Sequence, residues 1–81
     1  VVPNLLRANG YRFYFYSHEP NEPPHVHIDK DGKTAKVWLS DLSVAKSIGF
    51  RQHELRRVIG IVADNRDDFI KGWHDYFGTQ R

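Results

Sequence analysis

Eighty-one residues bound this chain to one domain, residues 1–81, with a single modest core, because chains divide into several cores only well above that length. The absence of cysteine excludes disulfides, thiolate metal sites and cysteine nucleophiles, and it fits a reducing, cytoplasmic setting. Twelve Lys and Arg against ten Asp and Glu leave a formal net charge of +2, which makes no electrostatic funnel for nucleic acid.

In chain order, Leu5 to Ala8, the pair Asn9-Gly10, and Tyr11 to Ser17 read as a β-hairpin. Asn-Gly supplies the two positive φ angles of a type I′ turn, and aromatic residues suit a pleated, half-buried surface. His18 to Pro24 contains three prolines, which lack backbone donors and push their predecessors toward extended geometry, so this stretch is a stiff loop. His25-Val26-His27-Ile28-Asp29 alternates and predicts a third strand. Asp31-Gly32 centres a second tight turn, and Thr34 to Leu39 returns as a fourth.

From Ser40 or Asp41 a capped short helix is expected through about Ser47, with Gly49 ending it. Apolar residues then recur at Leu55, Val58, Ile59, Val62, Phe69, Ile70, Trp73 and Phe77, one stripe of an amphipathic helix facing the sheet. Arg66 interrupts that stripe. The periodicity favours one continuous helix, and a break into two near Asn65 is the alternative. The expected fold is therefore α+β: a four-stranded antiparallel meander of two hairpins, packed on one face by a long C-terminal helix or helix pair, with a short linking helix. No run approaches the roughly 18 apolar residues of a membrane span, and the first residues lack the pattern of a secretory leader, so a cytoplasmic protein without membrane contact is expected.

Strand alternation sorts the side chains into two faces. Phe13, Phe15, Val26, Ile28, Val37 and Leu39 form an apolar set that should meet the helix. Arg12, Tyr14, Tyr16, His25, His27, Lys36 and Trp38 form the opposite set, which is aromatic, basic and histidine-bearing. Three uses of this second face compete. It could be covered by another part of the chain, with the polar tips of its rings satisfied. It could bind a protein, since Tyr, Trp and Arg dominate interface hot spots. It could stack single-stranded RNA or DNA on Tyr14, Tyr16 and Trp38, with Arg12 and Lys36 on phosphates. His25 and His27 point the same way, about 7 Å apart. They could serve as acid and base in phosphodiester cleavage, with Arg12, Lys36 or Arg56 steadying the phosphate. They are also weak candidates for a metal, helped by His18, Glu19 or Glu22, and otherwise they are structural. No phosphate loop, nucleophile elbow, zinc-protease motif or dinucleotide fingerprint occurs, so no cofactor is expected.

Gly10-Tyr11-Arg12-Phe13, Tyr16-Ser17, Glu22-Pro23-Pro24-His25-Val26-His27, Ala35 to Leu39, Gly49-Phe50, Glu54 to Arg57 and Trp73 to Phe77 occur here in one order. Together they resemble the small prokaryotic family called domain of unknown function 4160. Arg51 departs from the helix-capping serine frequent at that position in the family. The resemblance implies no catalytic residues. It implies a bacterial, archaeal or phage protein of a two-gene, toxin–antitoxin-like module, whose partner is the protein encoded by the neighbouring gene. The leading expectation is an interaction protein binding that partner through the aromatic face. An RNA-binding or RNA-cleaving toxin using His25 and His27 is the first alternative, and a small metal-binding domain the second. A homo-oligomer is compatible with so small a core.

Overall fold

The computed structural model describes residues 4–15 and 21–78. Five strands, β1 (Asn4–Ala8), β2 (Tyr11–Tyr14), β3 (His25–Lys30), β4 (Lys33–Trp38) and β5 (Val44–Ile48), form one antiparallel sheet in chain order. Two helices follow, α1 (Gln52–Asp64) and α2 (Arg66–Phe77). The class is α+β with an antiparallel meander, as expected. None of the described helices is long and apolar enough to cross a membrane.

Both tight turns form as their chemistry dictates. Asn9 and Gly10 take φ of 55° and 84°, and Asp31 and Gly32 take 50° and 80°. These left-handed pairs match the twist of the strands they join. The register then places Phe13 beside Ile28, Ile28 beside Ala35, and Val26 beside Val37 on one face. All six residues of the expected apolar set are buried, and the set gains Tyr11 and Ala35. Val58 and Val62 of α1 and Phe69 of α2 close this core, with Phe69 against Phe13 at 5.8 Å between ring centroids.

The short linking helix expected from Ser40 or Asp41 to Ser47 is instead a turn and the fifth strand. The Asp41 carboxylate accepts from the Ser43 backbone N–H (3.0 Å) and hydroxyl (2.7 Å). Leu42, at φ 61°, sends its N–H to the Trp38 carbonyl, and the Trp38 N–H goes to Ser43 O. An aspartate that bonds its own backbone two residues on builds a turn as readily as a helix cap. The outer edge of β4 decides between them, because Val44–Ile48 satisfies its backbone there and β-branched Val44 and Ile48 favour the extended form. Gly49 does not end a helix but turns the chain from β5 into α1. Its φ is +89°, and a Cβ there would lie 2.8 Å from Lys33 Cγ, so a side chain would meet both strain and a neighbour.

The C-terminal stripe is a helix pair, not one continuous helix. Asn65 leaves helical geometry (φ −116°, ψ 14°), and its side-chain amide bonds back to Ile61 O at 2.8 Å. Arg66 explains the break. Its guanidinium donates to the carbonyls of Leu39 and Ser40, which the β4–β5 turn leaves without strand partners. The charge in the middle of the stripe thus ties the helix junction to the sheet.

α1 starts at Gln52 although Arg51 has no acceptor to offer as a cap. Glu54 supplies what is needed: its carboxylate accepts from the Arg51 N–H (3.1 Å) and from Lys33 Nζ on β4 (2.8 Å). The Lys33 hydrogen bond, the Arg51 N–H and the nearby positive charges hold the Glu54 carboxyl down to about 2. A depressed carboxyl contributes stability above its unfolded value, and that contribution is lost as pH falls toward the folded one. Glu54→Gln is accordingly expected to melt below the wild type at pH 6, with the two melting temperatures converging as the pH falls from 4.5 to about 2. Melts recorded across that interval check this; parallel curves would refute it.

Candidate functional site

Beyond the helices, the opposite sheet face carries a connected row of polar and aromatic side chains. β2 contributes Arg12 and Tyr14, β3 contributes His25, His27 and Asp29, and β4 contributes Lys36 and Trp38. Pairing across strands sets Arg12 beside Asp29, Tyr14 beside His27, His27 beside Lys36, and His25 beside Trp38. Tyr16 lies outside the described residues, as do His18 and Glu19.

One end of the row is built on Tyr14. Its hydroxyl donates to Asp29 Oδ2 at 3.0 Å. Its ring stacks on His27, with centroids 5.4 Å apart and planes 22° apart, and the Arg12 guanidinium lies 4.4 Å from its centroid. Tyr14 itself is buried beneath these contacts, so they fix this end of the row in place. The other Asp29 oxygen is buried and has no hydrogen-bond partner among the described residues.

The other end is built on His25, which is 0% exposed. Its Nδ1 lies 2.9 Å from Pro23 O. A carbonyl can only accept, so Nδ1 carries the proton and the tautomer is fixed by the proline loop. The ring is enclosed by Trp73 (4.8 Å between centroids), His27 (5.0 Å) and Trp38 (5.5 Å). Trp73 comes from α2, reaching past the sheet end where Phe15 also packs on it at 5.4 Å. Between the two ends, Lys36 Nζ donates to Glu22 Oε1 at 2.6 Å and sits 4.7 Å from the Trp38 centroid. Trp38 stays half-exposed.

The sheet therefore gathers Arg12, Tyr14, His25, His27, Lys36 and Trp38 as alternation predicts. Arg56 is not among them: it is exposed on α1, on the far side of the sheet. Two contributors escaped the sequence reading, and Glu22 takes a role other than the metal-binding one expected of it. Asp29 shares the parity of His25 and His27 and was legible from alternation. Trp73 carried no such signal, because a helix brings it in, and Glu22 comes from the proline loop to pair with Lys36. His27, not His25, is the imidazole of the pair that reaches the surface. Among the described residues no three His, Asp or Glu side chains converge as a metal site, and Glu22, an expected metal companion, is engaged by Lys36.

The segment that builds this row, from the Asn-Gly turn through β3 and β4, lies within a family match. The family model described as a domain of unknown function (DUF4160) matches residues 10–74. The chain belongs to this family. Neither the comparison with curated proteins nor that with solved structures gives a match. The matched DUF4160 region runs from Gly10 through Trp73 to His74, so it holds the sheet row and the tryptophan that closes its far end.

Proposed function

We propose that this DUF4160 domain is a protein-binding module that uses the row Arg12, Tyr14, His27, Lys36 and Trp38 to hold the product of its neighbouring gene, in a toxin–antitoxin-like pair. One observation carries the reading: Trp38 is half-exposed on the sheet face away from the helices, flanked by polar groups that are already paired with one another. A large ring fixed in advance on a rigid strand loses little entropy on binding, which is the character of a hot spot.

RNA binding is supported less well. The Tyr14 ring has Arg12 on it and His27 stacked against it, and Lys36 is engaged by Glu22, so bases and phosphates would have to displace contacts the face already makes. Acid–base cleavage by His25 and His27 requires both rings to reach a substrate, and His25 is enclosed.

The test is co-expression with the neighbouring gene's product and titration of the purified pair. Trp38→Ala is expected to weaken the complex by roughly tenfold or more while leaving the fold intact. An unchanged affinity would overturn the reading. RNA decay on induction of the wild type that His27→Gln abolishes would replace it with the nuclease.

A further inference from the structure

The two edges of the sheet differ. β1 is packed: Leu5, Leu6 and Ala8 lie against the core, and Leu5 Cδ2 comes within 3.0 Å of where a Cβ on Gly72 of α2 would stand. β5 is bare. Every residue of Val44–Ile48 is exposed, including Val44 at 38% and Ile48 at 53%, and β5 ends the strand order. Its outer backbone groups have no strand beside them among the described residues. Such an edge is a template for another strand unless something guards it.

Register shows which side chains an incoming strand would meet. Lys36 pairs with Lys46 and Val37 with Val44, so one extra β5 residue, Ala45, bulges between them. Beyond the bulge Lys46 and Ile48, opposite Lys36 and Thr34, share the face of Trp38. Like charges directly opposite are unfavourable in a sheet. Lys36 is neutralised by Glu22. Lys46 has no carboxylate within ion-pair distance among the described residues, so its charge is uncompensated.

We propose that β5 is a docking edge, on which an extended strand of a partner protein adds to the sheet with a carboxylate opposite Lys46 and an apolar side chain opposite Ile48. The inference rests on the protein-binding reading and adds the geometry of the partner. Lys46 and Ile48 lie on the sheet face of Lys36 and Trp38, so an added strand would continue the face that carries the aromatic row. The same lysine argues against a second copy of this chain. Antiparallel self-pairing about Lys46 would set Lys46 against its own counterpart, whereas a carboxylate there supplies the ion-pair partner that Lys46 lacks among the described residues. One residue thus disfavours the copy, as edge lysines ordinarily do, and favours an acidic strand.

The probe is a capped seven-residue peptide alternating threonine with isoleucine, glutamate and isoleucine, and the same peptide with lysine for glutamate. Amide shifts and hydrogen exchange of the full chain are read on titration to roughly millimolar peptide. The expected result is protection confined to residues 44–48 and their β4 neighbours, binding about tenfold tighter for the glutamate peptide, and inversion of that preference in Lys46→Glu. Equal binding of the two peptides, protection elsewhere, or no protection overturns the proposal. Protection of β5 that grows with protein concentration alone also overturns it, making a second copy the occupant. The peptide experiment does not involve the neighbouring gene's product, so its failure is separable from that of the binding reading, which Trp38→Ala tests on the complex.

Discussion

Trp73→Ala is expected to lower the stability of this protein by about 3–5 kcal/mol, the cost of deleting a buried large aromatic side chain. Trp73 is 1% exposed and lies against Phe15, His25 and Phe77, the last at 4.5 Å between centroids. It joins the C-terminal half of α2 to the end of the sheet. Phe15 also meets Tyr76 and Phe77 of the same half of α2, each at 5.4 Å between centroids, so removing the Trp73 ring opens a gap inside an aromatic cluster. A domain of this size has total stability near the low end of about 5–15 kcal/mol, and each kcal/mol shifts the melting temperature by about 4–8 °C. A fall of at least 12 °C is therefore expected, read by circular dichroism. Loss of less than about 1 kcal/mol would mean that α2 is held elsewhere.

His25→Ala and His27→Ala are expected to differ sharply, although they sit two residues apart on one strand. Truncating His25 empties a fully enclosed site and strips Pro23 O of its donor, at a cost of about 2–5 kcal/mol. Truncating His27 removes a stacked ring from a half-buried surface, for about 1 kcal/mol. Chemical denaturation of both variants checks this; equal losses would remove the structural assignment of His25. The consequence for function is practical. A cellular phenotype lost in His25→Ala reports unfolding first, so any chemistry of the pair is tested by His27→Gln.

How far the sequence carries can be judged on particular residues. The two turns were legible because Asn9-Gly10 and Asp31-Gly32 have local preferences that nothing distant opposes. The faces were legible because strand parity is strict, and it put Phe13, Val26 and Val37 inside and Arg12, Lys36 and Trp38 outside. Parity says nothing about depth. His25 and His27 share a face, and only a helix arriving from nearly fifty residues downstream, with Trp73, buries one and leaves the other at the surface.

The segment after β4 marks the boundary between the two sources of information. Asp41 with Ser43 can cap a helix or close a turn at similar local cost, and Val44 to Ile48 is too short for periodicity to choose. The unpaired edge of β4 chose, because backbone groups left without partners are costly and the nearest chain available was this one. Arg66 is the same lesson on a helix: an anomaly in the stripe until the carbonyls of Leu39 and Ser40 stand beside it. By itself the sequence determined the α+β class, the turns, the inward and outward sets and the family. Only the tertiary structure decided that β5 is a strand whose outer edge is bare among the described residues, that the helix breaks at Asn65, and that His25 is enclosed. Each of those outcomes depends on pairing between groups far apart in the chain, which no local preference encodes.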